Sequence, residues 1–346
     1  MVELMRGLHE TGFGSWTAFA GRHDNVHLST ARASSPWYSR HVRESTGSSA
    51  GRSPFKVLQQ ELEFRKLASG AHLVHRTYHP VVDMLPRHAV VVETLHDMWD
   101  FVGPVEPGSR AVMRRHFKKR SLERADWIIC VSQSTRDYLD DVWPRLADRS
   151  IVIPHGTTQL SDQPFPVTRN RPFFLFVGRR DRYKNFKTAL GAMALLPADY
   201  ELLCFGGGPL TREESEGISQ SGLGGRVHQV NGDDHLLAGL YRAAQALIYP
   251  SRHEGFGLPL LEAMALGCPV IAAPLTSLPE VGGEAALYAD PDDLWAWKRL
   301  MNDMSTNDTA RANLIRAGKT RAAAFSWSKT AERHAKLYQE LGCDAR

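Results

Sequence analysis

The sequence predicts an α/β protein built from two doubly wound parallel sheets, one in each half of the chain. Three observations carry that expectation. At 346 residues the chain exceeds what one hydrophobic core organises, so two domains are the default. Apolar runs of strand length alternate with helical patterns, the signature of parallel β-α-β units. A stretch rich in Pro, Thr and Gln, HGTTQLSDQPFPVTRNRP at residues 155–172, separates the two halves and reads as the linker.

In the first half the pattern predicts helix from Val2 to His9, strand from Trp16 to Ala20, a Ser/Arg-rich loop from Ala31 to Arg52 and helix from Phe55 to Leu67. Strands are then expected at His72 to His75, Ala89 to Leu95, Trp127 to Val131 and Ser150 to Ile153. The second half restarts with FFLFVG and continues with ELLCFGGG, RVHQVNG, ALIYPS and PVIAAP, each followed by a helical pattern. The closing FSWSKTAERHAKLYQEL is amphipathic and reads as one long helix.

Composition narrows the class. With 42% hydrophobic and 23% charged residues the chain is an ordinary globular one. No run reaches the roughly 18 apolar residues of a membrane span, and the opening MVELMRGLHE carries acids where a signal peptide has its apolar core, so a cytoplasmic location is expected. Cys130, Cys204, Cys268 and Cys343 have no paired metal spacing and read as reduced structural thiols. A net charge of +4 is too small to argue for nucleic acid. The basic run RRHFKKRSLER, Arg114 to Arg124, reads as a solvated helix face, or as a face for anionic headgroups that would bring the protein to the inner surface of the membrane.

In an open parallel sheet, ligands bind outside the carboxyl ends of the strands. The unusual residues fall there. Gly178, Arg179 and Arg180 follow FFLFV; Gly206, Gly207 and Gly208 follow ELLCF; Ser251 to Glu254 follow ALIYP; Thr276 and Ser277 follow PVIAAP. Pro259 suits the first turn of a helix opening near Leu258, and Gly255 and Gly257 leave its amino end uncrowded, which makes a phosphate seat. Arg179, Arg180 and Lys184, from GRRDRYKN, supply the cations a diphosphate wants. A carboxylate is repelled by phosphate, so Glu254 and Glu262 must read something else. Vicinal hydroxyls suit acceptor-only oxygens. That assigns Glu262 to a ribose diol and Glu254 to hydroxyls of a transferred sugar. Simpler readings stand beside these: Glu262 as a first-turn acid favoured by the helix dipole, Glu254 as a solvated loop acid, Lys184 as a surface lysine, GGGPL as a tight turn, and Thr276 with Ser277 as a helix cap. No GxGxxG fingerprint is present.

These residues resemble the retaining GT-B glycosyltransferases with the E-x7-E motif, in particular their bacterial mannosyltransferase-like branch. The resemblance runs through VETLHD, RADWIICVSQSTRDYL, IPHG, VGRRDRYKN, FGGGP, LYRAAQALIYPSRHEGFGLPLLEAMALGCPVIAA and SLPEVGGEAALYADPDD. It implies a GT-B fold of two Rossmann-like domains facing across a cleft: residues 1–156, with a crossover helix at 326–342, on the acceptor side, and residues 157–325 binding the nucleotide sugar. It implies a hexosyltransferase acting on a saccharide or lipid-linked acceptor in cell-surface polysaccharide synthesis, with a nucleotide sugar as co-substrate, no cofactor and no metal. By position, Glu254 meets the donor sugar, Glu262 the ribose, Gly255, Phe256, Gly257 and Leu258 the diphosphate, Gly207 and Gly208 the donor, and Lys184 a phosphate. His96 matches the first-domain histidine that faces the donor sugar, and the family's arginine falls on Arg179 or Arg180, which the sequence does not separate. The departure is at the start, where a family member has a strand and a glycine-rich turn; the first domain is expected to lack its N-terminal strand. Two other classes remain on this reading: a glycoside hydrolase using the two glutamates as acid and nucleophile, and a non-catalytic nucleotide-sugar binder.

Overall fold

The computed structural model describes all residues except 1, 15, 21–30, 33–34, 45–53, 81–83, 105–107, 158–159, 161–162, 181 and 343–346. Cys343 and residues 33–34 and 45–52 of the Ser/Arg-rich segment therefore lie outside the described residues. The chain divides into two compact units, Met1–Gly156 with Trp327–Arg346, and Thr157–Ser326.

In the first unit a helix, Val2–Glu10, precedes the strands β1 (Ala18–Ala20) and β2 (Val42–Glu44), which pair in parallel as a two-stranded sheet of their own. Within the segment expected to be loop, Pro36–His41 is helical and β2 follows it. Trp37 and Tyr38 explain this order: both are buried against Met5 and Val42, and an aromatic anchor gives a short helix the tertiary support it lacks alone. A second sheet, β3 (Leu73–Arg76), β4 (Val90–Leu95), β5 (Trp127–Cys130) and β6 (Ser150–Val152), is parallel throughout and keeps sequence order. Val91, Leu95, Ile128 and Cys130 face one core with Leu122 and Leu139, while Val92, Ile129 and Ile153 face another with Leu337. Burial on both faces is why these strands are continuous apolar runs.

The second unit holds β7 (Phe173–Val177), β8 (Glu201–Phe205), β9 (Val227–Val230), β10 (Leu247–Tyr249), β11 (Val270–Ala272) and β12 (Leu287–Tyr288). All are parallel, in the order β12-β11-β10-β7-β8-β9. Every residue of β7, β10 and β11 is buried. The stretch read as the linker is docked in part: Phe165 lies on the helix Asp234–Ala243, its amide donating to the His235 carbonyl at 3.1 Å. Gly239 permits this, because a Cβ there would lie 2.0 Å from the Phe165 carbonyl oxygen.

The helix Trp327–Glu340 returns to the first unit and packs along Val2–Glu10. Their approach is close: a Cβ on Gly7 would stand 2.6 Å from the Ala331 Cβ and 3.2 Å from the Trp327 carbonyl oxygen. Because overpacking a tight contact costs about 1–3 kcal/mol, Gly7→Leu lowers the stability of this unit by that amount in urea unfolding.

Candidate functional site

Strand order fixes the site. β7 lies between β8 and β10, so the chain leaving β7 and the chain leaving β10 turn to opposite sides, which opens a crevice at their carboxyl ends. After β7 come Gly178, Arg179, Arg180 and a 3-10 turn at Arg182–Lys184; after β10 come Pro250 to Gly257. The two loops are tied together. Arg252 donates its amide to the Tyr183 carbonyl at 2.7 Å, and Asn185 Nδ2 donates to the Pro250 carbonyl at 3.2 Å. Asn185 holds a left-handed φ of 55°, a conformation asparagine tolerates better than most residues.

These ties set Lys184 against Glu254. Lys184 Nζ donates to Glu254 Oε1 at 2.6 Å, with side chains 15% and 10% exposed. The ammonium also lies over two rings, 5.3 Å from the centroid of Tyr249 and 5.4 Å from that of Tyr183. The backbone of Glu254 is clamped from the next strand: its amide donates to Thr276 Oγ1 at 3.0 Å and its carbonyl accepts from Ser277 Oγ at 2.9 Å. Thr276 has a φ of 54°, a strained value for a β-branched residue, and makes no helix-cap hydrogen bond. The pair expected to cap the helix Ser277–Gly282 holds the acidic loop instead.

Arg179 and Arg180, which the sequence leaves unresolved, separate here. Arg179 is exposed. Arg180 is buried, its side chain 1% exposed, and its guanidinium is spent on the glycine turn. It donates to the carbonyls of Gly206 at 2.9 Å, Gly208 at 2.8 Å and Pro209 at 3.0 Å, and pairs with Glu214 at 3.0 Å. The expectation that Arg180 holds a ligand is therefore corrected: moving it would leave a buried charge and four carbonyl and carboxylate partners unmatched. Gly207 belongs to the same contact, since a Cβ there would meet the Gly178 carbonyl at 2.7 Å and Arg180 Nη1 at 2.9 Å. Gly208, at φ 75°, has open space where its Cβ would be.

The helix Leu258–Ala265 opens on Gly257, whose φ is 103°, with Pro259 in its first turn. Gly255 is half-buried, and Phe256 is buried against the edge of Phe325, ring centroids 5.9 Å apart. Glu262 does not sit in the first turn, as expected, but in the second, so the helix dipole does not account for it. It accepts from the Tyr241 hydroxyl at 3.3 Å rather than touching Lys184 or Glu254. Burial pushes its carboxyl up to about 7, against the lowering effect of the Tyr241 bond.

In the first unit His96 follows β4 and donates Nε2–H to the Thr77 carbonyl at 2.9 Å, which leaves Nδ1 as an acceptor. It lines a cavity of about 100 Å³ with Thr77, Thr94, His155, Trp327 and His334. Its ring stacks on His155 at 5.6 Å. Further in, His75 bonds the Tyr338 hydroxyl at 2.6 Å and Thr94 Oγ1 at 2.8 Å. Burial lowers His75 well below the usual imidazole range, His155 to about 3 and His334 to about 4, with neighbouring histidines adding to the first two. His96 is lowered by the same cause, opposed by its bond to Thr77. This pocket is lined by neutral imidazoles, whereas the second unit's crevice is charged.

Sequence reasoning missed Tyr183 and Tyr249 as supports of Lys184. The available signal was position, since Tyr249 ends a strand at the crevice and Tyr183 precedes the lysine.

Comparisons with known proteins bear on both units. A family profile described as "Glycosyl transferases group 1" matches residues 159–321, and one described as "Glycosyltransferase Family 4" matches residues 2–158. O-antigen chain mannosyltransferase B of Escherichia coli is 30% identical over 275 residues, 72% of this chain and 70% of that protein. The serotype-specific mannosyltransferase WbdA of Escherichia coli is 30% identical over 237 residues, 62% of this chain, and the match spans only 29% of WbdA. Among solved structures, sucrose-phosphate synthase from Thermosynechococcus elongatus superposes with a TM-score of 0.74 at 25% identity, covering 98% of this chain and 92% of the other. Anabaena HepE in complex with UDP and glucose gives 0.75 at 16% identity, covering 98% and 95%, a likeness of fold.

The neutral histidines have a pH signature. The unfolded chain takes up protons near pH 6.5 that the folded one refuses until about 4 at His334 and about 3 at His155, so stability is intact above 6.5 and lost as pH falls through that window. His334 donates from Nδ1 to the Thr330 carbonyl at 2.7 Å, a bond asparagine can keep without titrating. Urea unfolding of His334→Asn at pH about 5 is expected to show about 2 kcal/mol less acid loss than the wild type.

Proposed function

This chain belongs to the group 1 glycosyltransferases and is a hexosyltransferase of the GT-B fold; from that we propose that it transfers a hexose, mannose in the first instance, from a nucleoside-diphosphate sugar with retention of configuration. The observation that carries this reading is the contact of Lys184 with Glu254 across the switch point of the second sheet. A cation and a carboxylate, both shielded and both at the mouth of one crevice, suit a ligand with diphosphate and hydroxyls side by side.

The roles follow from charge. Lys184 and Arg179 hold the diphosphate, with the backbone of Gly255, Phe256, Gly257 and Leu258 at the helix start beside them. Glu254 accepts from hydroxyls of the sugar and Glu262 from the ribose. Gly207 and Gly208 let the donor approach the turn that Arg180 stiffens. His96 offers Nδ1 to a sugar hydroxyl. The departing phosphate takes the proton of the attacking hydroxyl on the same face, so no protein nucleophile is required, and Lys184 and Arg179 stabilise the leaving diphosphate in the place of a divalent metal. Mannose and a saccharide or lipid-linked acceptor of cell-surface polysaccharide are supported by the O-antigen relative.

A thermal-shift screen against GDP, UDP, ADP and dTDP identifies the base, because stabilisation grows with ligand concentration over Kd. With the matching sugar nucleotide, in buffer containing EDTA, Lys184→Ala is expected to reduce turnover roughly 10- to 150-fold, the loss of one charge-assisted contact. Activity within about twofold of wild type contradicts the role. Nucleotide binding with no turnover in the wild type identifies a binder instead of an enzyme.

Membrane contact is a second part of the proposal. No helix among the described residues is long and apolar enough to cross a membrane. The helix Ser109–Arg124 exposes Val112 at 63% and Met113 at 51% beside exposed His116, Lys119 and Arg120. Not all its charge is available, since Lys118 is buried against Asp97 and Asp100. A mixed apolar and basic face suits an anionic bilayer surface. Sedimentation with liposomes containing anionic phospholipid is expected to carry the protein down, and neutral liposomes are not; equal binding to both refutes it.

A further inference from the structure

Tyr249 ends β10 beneath the Lys184–Glu254 pair. It is 1% exposed, and its buried hydroxyl faces the Glu254 carboxylate without completing a well-formed hydrogen bond to it or to any other described residue. A native protein rarely leaves such a group unmatched without a further use for it. Its ring already supports the Lys184 ammonium at 5.3 Å. Its hydroxyl end reaches the acidic loop: ring atom Cε1 would stand 3.8 Å from a Cβ on Gly257. After burial, the Glu254 charge and the approach of the hydroxyl to the Glu254 carboxylate hold the Tyr249 proton in place.

In the free protein Glu254 has Lys184 as its cation. A diphosphate competes for that ammonium. When Lys184 turns to it, Glu254 is left shielded from water and without its counter-charge, a state that needs another donor. We infer that Tyr249 is that donor: a positioning residue whose hydroxyl, already close to Glu254, becomes its main hydrogen-bond donor once the diphosphate draws Lys184 away, and so keeps the carboxylate aligned for the sugar hydroxyls. The inference rests on the roles proposed above for Lys184 and Glu254.

The test uses calorimetry on the full chain with GDP and GDP-mannose, or UDP and UDP-glucose if the screen selects uridine. Tyr249→Phe is expected to bind the nucleoside diphosphate within about twofold of wild type and the sugar nucleotide about 5- to 15-fold more weakly, the loss of one hydrogen bond. Its melting temperature should stay close to that of the wild type, because Lys184 remains the close partner of Glu254 in the free protein. A variant that binds the sugar nucleotide as wild type does, or that loses thermal stability and both affinities alike, overturns the inference. Lys184→Ala in the same titrations tests the underlying reading separately: unchanged nucleoside-diphosphate affinity there shows that Lys184 does not hold the diphosphate.

Discussion

The contact between Lys184 and Glu254 is the constraint on which the rest of the second unit is organised. Seventy residues separate the two positions in sequence. They meet because β10 lies beside β7 and the loops that leave these strands are hydrogen-bonded to each other. Each neighbouring feature serves that contact: the two tyrosine rings confine the ammonium, and Thr276 with Ser277 fixes the acid's backbone from the next strand. The strained φ of Thr276 has a counterpart in what it holds.

The two units differ in electrical character. The second concentrates charge at its crevice and supports it with polar ties. The first buries several imidazoles in neutral form and lines a small pocket with them. Such a lining offers hydrogen bonds without net charge, which suits hydroxyl groups better than phosphates. Membership of the glycosyltransferases removes the hydrolase alternative, in which Glu254 and Glu262 would act as an acid and nucleophile pair.

Much of this was legible in sequence, for reasons that differ by residue. The parallel sheets were readable because strands buried on both faces, such as Phe173–Val177, are unbroken apolar runs. Lys184 and Glu254 were readable because glycine and polar residues gathered at the carboxyl ends of buried strands add little to packing and suit a bound ligand. Arg179 and Arg180 were not separable, since adjacent arginines carry the same chemistry and only packing against Gly207 and Glu214 divides them. Thr276 and Ser277 look like a helix cap in sequence because a clamp on a distant loop leaves no local pattern. Glu262 was placed one turn too early although the helix start near Leu258 was read correctly, since the fifth helical residue already lies past the first turn.

The close packing of Gly7 on Ala331 bears on how the chain matures at the ribosome. The helix that covers Val2–Glu10 is translated only after the whole of Thr157–Ser326, so the first unit must wait, its apolar face uncovered, while the second is completed. The second unit is one uninterrupted segment and can fold as it emerges. Order of synthesis therefore runs opposite to order of completion, and the waiting face is where a chaperone would be needed most.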